Sequence, residues 1–137
     1  HQMMLGFHHL CLLKPFSRQP EDLVRQAVNE FCTHLVDYLS YGQFKVFDLL
    51  QGKLERDHPN KAEFKTLLSR IFSSTVHSVE FQDKFTDPKQ NLLTLNRELS
   101  MLGKRLAQRL DWEDRLLSVV CPNPMQSSPN KKLSEKE

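Results

Sequence analysis

The sequence predicts an all-α fold: an antiparallel four-helix bundle with a short extra helix and a disordered C-terminal tail. Three observations carry that reading. Apolar residues recur every three or four positions along several stretches, as they do on the buried face of a helix. No stretch alternates with period two for long enough to make a strand. Nine Phe against only four Gly suit helices packed around aromatic rings better than a loop-rich fold. At 137 residues the chain is about one domain with a single core, placed over residues 1–120 with a tail from 121 to 137.

The elements follow from period and punctuation. A first helix spans Gln2 to Leu13 and stops before Pro15. Because the chain opens on His1 rather than Met, further native residues are expected to precede it. A second starts near Pro20, where Glu21 and Asp22 complement the N-terminal dipole. Val24, Val28, Phe31, Leu35 and Leu39 keep its apolar spacing, and Tyr41–Gly42 ends it. A third, short stretch from Gln43 to Arg56 carries Phe44, Phe47, Leu50 and Leu54, and Pro59 closes it. Asn60 with Glu63 resembles a capping box. It opens a helix to about Lys84 with Phe64, Leu68, Ile71, Thr75 and Val79 on one stripe. Asp87–Pro88 signals the start of a last helix, the longest, running to Val120. The segment from Pro122 has three prolines and no apolar period, so it is expected to be disordered.

Composition excludes several classes. The formal net charge is +2, from 19 Lys and Arg against 17 Asp and Glu, without the basic cluster of a nucleic-acid binder. Three cysteines, Cys11, Cys32 and Cys121, form no CxxC and cannot all pair, which argues for reduced thiols in the cytoplasm. The apolar opening from Met3 to Leu13 is too short to span a bilayer. Neither a glycine-rich phosphate loop nor a GxSxG elbow is present, so no enzyme is expected, and no cofactor.

The histidines are candidates for metal or phosphotransfer chemistry. Glu30 and His34 stand one turn apart, as do His77 and Glu80, but a di-metal bundle needs paired Glu-x-x-His motifs and further inward carboxylates. Ordinary surface or boundary histidines are the preferred reading. A metal-binding or phosphotransfer bundle using His34 or His77 is the alternative.

Two places look built for a partner. The last helix carries a heptad seam through Leu92, Leu95, Leu99, Leu102 and Leu106. Arg109 and Glu113 interrupt it before Leu116 and Val120. Either these two form a local ion pair worth about 0.3–0.5 kcal/mol, or they open a polar patch from the core onto a binding surface. On the second helix, at 100° per residue, Gln26, Glu30, Thr33 and Asp37 share the face opposite the apolar stripe. A solvated face is the default there. Asp37 is followed, however, by Tyr38, Ser40, Tyr41 and Phe44, a polar-aromatic mixture of the kind enriched at interfaces.

The run Phe31-Cys-Thr-His-Leu-Val-Asp-Tyr-Leu-Ser-Tyr-Gly-Gln-Phe44 resembles the F-C-x-x-L-V-D-Y-L-S-A-G-H-F signature of the Rsd/AlgQ family of bacterial regulators. Arg109-Leu-Asp-Trp-Glu-Asp-Arg-Leu-Leu resembles that family's R-x-x-x-E-D-x-L. Tyr41 stands where the family usually has Ala, and Gln43 where it has His. The resemblance spans about residues 20–120 and is weak over 57–90. It implies an anti-sigma factor that binds the C-terminal, promoter-reading domain of the primary sigma factor, and for some members a sugar-phosphotransferase carrier protein. It implies no direct contact with nucleic acid or membrane. Glu30, Asp37, Tyr38, Ser40, Phe44, Arg109 and Glu113 are then the expected partner-binding residues.

Overall fold

The computed structural model describes residues 2–53 and 61–120. Its helices are α1 (Gln2–Cys11), α2 (Glu21–Lys53), α3 (Lys61–Phe85) and α4 (Leu95–Val120), with a 3₁₀ turn at Phe16–Arg18. No strand occurs among the described residues. Neighbours in sequence are neighbours in space: α1 packs on α2, α2 on α3 and α3 on α4. Cross-links give the directions. Lys84 meets Glu98 and Glu63 meets Arg115, so α3 and α4 are antiparallel. The ring of Phe31 meets that of Phe81, while the Gly42 end of α2 lies beside Arg109, which bonds back to Ile71. Hence α2 and α3 are antiparallel too.

Several boundaries differ from expectation. The second and third stretches are one helix of 33 residues, longer than the 26 of α4, and the extra helix is its C-terminal part. Gly42 does not end it, because its backbone never enters the left-handed region that a glycine stop uses. The helix α1 ends at Cys11, two residues early. The Asp87–Pro88 signal belongs to a turn. The Asp87 carboxylate accepts the backbone N–H of Lys89, and the Asn91 side chain accepts that of Leu93. Such local bonds compete with a helix. The helix α4 starts at Leu95 instead, where the Thr94 hydroxyl donates to Glu98 at 2.7 Å. Leu54, the Asn60 cap and the tail from Cys121 lie outside the described residues, as do the side chains of Phe47 and Leu50.

The core forms two apolar clusters. The larger unites Met3 and Leu10 of α1 with Val28, Phe31 and Leu35 of α2, Phe81 and Phe85 of α3, and Leu95, Leu99, Leu102 and Leu106 of α4. Phe7, Phe31 and Phe81 stack edge to face through it at 5.9 and 6.1 Å. Gly103 lets α1 in close: a Cβ there would stand 2.6 Å from Phe7 Cζ. The smaller cluster joins Phe64, Leu67, Leu68 and Ile71 to Leu116, with Trp112 against it.

The buried stripe of α3 also differs from expectation. It runs through Phe64, Leu67, Leu68, Ile71, Ser74, Ser78, Phe81 and Phe85, leaving Thr75 half-buried and Val79 exposed. Two serines occupy it because each donates its hydroxyl to a carbonyl of the preceding turn, Ser74 to Ile71 and Ser78 to Ser74. Their polar atoms are therefore satisfied without water.

Candidate functional site

A polar node lies along α4 between the two clusters, centred on Arg109. Its side chain is 2% exposed, and a buried guanidinium must find acceptors for its fork of donors. Nε donates to Glu113 Oε2 at 3.0 Å. Nη1 lies 2.6 Å from the Thr75 hydroxyl, 2.9 Å from that of Ser74 and 3.1 Å from the Ile71 carbonyl. The guanidinium sits 5.3 Å from the centre of the Tyr38 ring, within cation–π reach. Tyr38 in turn donates its hydroxyl to Glu113, 2.8 Å from either oxygen. Burial, and then the neighbouring Glu113 carboxylate, push the Tyr38 phenol far above its ordinary range. One cation, one anion and one phenol thus tie α4 to both α3 and α2.

Arg109 and Glu113 are therefore more than a local pair, and Arg109 itself lies inside the bundle. Their i,i+4 spacing was legible. Of their partners, Ile71 and Thr75 fall on the expected stripe of α3, and Ser74 does not. The available signal was Ser74 and Ser78 recurring every four residues on an otherwise apolar stripe. Gly42 is not a helix stop, since α2 continues to Lys53. It is where α2 passes the node, with Arg109 Nη2 3.4 Å and Glu113 Oε2 3.7 Å from the place of a Cβ.

The remaining expected residues lie on the outside of α2. Because the helix is unbroken, Gln26, Glu30, Thr33, Asp37, Tyr41 and Phe44 stand within about 60° of one line along it. All six are exposed, as is Ser40 at the edge of that face, and the rings of Tyr41 and Phe44 are 64% and 74% exposed. An 18-residue span of helix is about 27 Å long. The fold brings Tyr38, Arg109 and Glu113 together at the inner side of α2 and sets Glu30, Asp37, Ser40 and Phe44 on its outer side.

The two histidines occupy different surroundings. His34 lines a depression between α1 and α2 with Glu30 and His9. His77 lies between α3 and α4, its Nδ1 3.6 Å from Glu80. Among the described residues no three His, Cys, Asp or Glu side chains gather where they could hold a metal ion. Cys11 and Cys32 carry free thiols, and burial pushes that of Cys32 up to about 12, so it packs as a small apolar group. A depression of about 950 Å³ lies among the connecting segments near Lys14, Phe16 and Asn91 and contains none of the expected partner-binding residues. Among the described residues no helix is long and apolar enough to cross a membrane.

Comparison with known proteins agrees with the two quoted runs. The chain is 28% identical over 130 residues to a protein named Regulator of sigma D from Enterobacter sp. (strain 638), covering 93% of this chain and 78% of that one. A Regulator of sigma D from Pectobacterium carotovorum subsp. carotovorum (strain PC1) is 27% identical over 126 residues, covering 89% and 82%. One from Shigella boydii serotype 4 (strain Sb227) is 26% identical over 121 residues, covering 86% and 76%. No solved structure matches the chain. The family model described as Regulator of RNA polymerase sigma(70) subunit, Rsd/AlgQ, matches residues 1–121, so this all-α chain belongs to the Rsd/AlgQ family of sigma-factor regulators.

Proposed function

We propose that the chain is an anti-sigma factor that docks the outer face of α2 on the C-terminal, promoter-reading domain of the primary sigma factor. The observation that carries the reading is the exposed stripe in which Glu30 and Asp37 lead into Tyr41 and Phe44. An aromatic side chain left 74% in water is a natural anchor for a partner. The two carboxylates beside it complement a domain whose DNA-reading helix is basic, steering the encounter and fixing its register. Occupying that helix denies the sigma factor its promoter contact, so the protein regulates by binding and needs no catalytic group. The Arg109–Glu113–Tyr38 node contributes from behind by holding α2 against α3 and α4, with Glu113, 25% exposed, at its outer edge.

The test is a titration of the purified C-terminal sigma domain against the full chain and two variants. Phe44→Ser should weaken binding at least tenfold. Val79→Ser, at an exposed apolar position on α3, should leave it unchanged. Equal affinities for the parent and Phe44→Ser, with helix content preserved, would remove α2 as the docking face.

A further inference from the structure

Two stripes of the same spacing face one another along the α3–α4 groove. On α3 they are Arg70, Ser73 and His77, and on α4 Arg105, Gln108 and Trp112. Each set sits at i, i+3, i+7, which places three side chains on one side of a helix. The antiparallel packing sets Arg70 over Trp112, its guanidinium carbon 6.0 Å from the ring centre. These residues line a cavity of about 180 Å³ with no carboxylate in its wall. His77 and Arg105 also line an adjoining cavity of about 250 Å³, whose wall carries Glu80, Lys84 and Glu98.

Among the described residues four of the groove's donors lack a carboxylate or hydrogen-bond partner, whereas His77 lies 3.6 Å from Glu80. Arg25, Arg109 and Arg115 each have a carboxylate partner. Among the described residues, Arg70 and Arg105 have none, and no hydrogen bond engages the Ser73 hydroxyl or the Gln108 amide. Two guanidiniums, a hydroxyl and an amide therefore line one concave space whose own wall holds no carboxylate, with His77 at its edge beside Glu80. Guanidinium forks match the oxygens of a phosphate in pairs. We propose that this groove binds a small phosphorylated molecule, its phosphate held between Arg70 and Arg105 and capped by Ser73 and His77. The site is built from α3 and α4 alone and stands independently of the docking face on α2.

The single tryptophan of the chain lies in this groove, which makes the test direct. The full chain is titrated with inorganic phosphate and, separately, with AMP, following Trp112 fluorescence, with sodium chloride at matched ionic strength as control. A saturable change with phosphate or AMP, absent with chloride, is expected. AMP binding more tightly would assign the ester as the ligand, and phosphate binding as well or better would assign the bare oxyanion. Arg105→Gln should weaken either at least tenfold, and Lys14→Gln, at the other depression, should not. Because Arg70→Gln alters the stack on Trp112, it is read by the ligand-induced rise in melting temperature, which it should abolish. No saturable change, a change that chloride reproduces, or full affinity in Arg105→Gln would overturn the proposal.

Discussion

The guanidinium of Arg109 packs against the backbone of Gly42, its Nη2 3.4 Å from the position a Cβ would take. A glycine in mid-helix costs about 0.5–1 kcal/mol relative to alanine, and here it leaves room for the buried cation. At 3.4 Å a methyl group just fits. Gly42→Ala should therefore fall within about 1 kcal/mol of the parent in stability, the gain in helix propensity offsetting slight crowding. A longer side chain must displace the guanidinium from its acceptors, so Gly42→Leu should lose about 3–5 kcal/mol. Denaturant unfolding of both variants checks this; a stable Gly42→Leu would mean the node yields easily.

Asp37 is exposed on the outer face of α2. Asp37→Ala should weaken binding of the sigma domain by about 1–3 kcal/mol and leave the melting temperature nearly unchanged. Binding by the parent should also fall as salt rises, more steeply than binding by the variant. If Asp37→Ala melts early and binds in proportion to its folded fraction, the residue is structural.

Much of the bundle was legible because hydropathy reports burial directly. The apolar stripe from Val24 to Leu39 and the leucines from Leu95 to Leu106 fall where the periodicity put them, while Leu92 precedes α4. What misled were residues whose role depends on a distant neighbour. Gly42 looks like a helix stop until Arg109 is seen beside it. Asp87 looks like a helix start until its carboxylate is seen closing a turn on Lys89. Ser74 and Ser78 lie on the buried stripe of α3 because their hydroxyls are satisfied by the preceding turn, and Ser74 also receives Arg109. Periodicity placed Arg109 and Glu113 on the buried seam. It could not show that Arg109 would be enclosed, because that depends on acceptors supplied by another helix.

The Tyr38 phenol offers a spectroscopic test of the node. The chain has two tyrosines, so in Tyr41→Phe the only phenol left is Tyr38. Burial and Glu113 both disfavour its phenolate. In the folded protein its tyrosinate absorbance should therefore stay low well above the usual phenol value of about 10. The sign of the linkage follows. A folded-state pKa raised above the unfolded value contributes stability in full below about pH 10, and that contribution is lost progressively as pH rises from there towards the folded pKa. Tyr38→Phe should flatten that alkaline decline. Ionisation of Tyr38 near pH 10 in a protein that is still helical would show the Glu113 contact to be loose.

The last prediction concerns the node as a unit. Arg109→Leu alone removes the cation and leaves Glu113 without its ion-pair partner, and breaking a buried pair from one side costs about 3–5 kcal/mol. Replacing both Arg109 and Glu113 with Leu is different in kind. The Ser74 and Thr75 hydroxyls keep an acceptor in the Ile71 carbonyl, at 2.7 and 3.2 Å, so losing Arg109 does not orphan them. Leucine at both positions would also continue the seam from Leu106 to Leu116 and join the two apolar clusters. The double variant should thus be as stable as the parent or more so, by up to about 4 kcal/mol, giving a large favourable coupling energy in a double-mutant cycle. Binding should move the other way. Tyr38 loses the Glu113 carboxylate and the cation beside its ring, the directional bonds from α4 to Tyr38 are removed, and affinity for the sigma domain should drop about tenfold. A thermal melt paired with a binding titration separates the effects. Unchanged affinity in a stabilised double variant would show that the node supports the fold alone and that docking depends only on the outer face of α2.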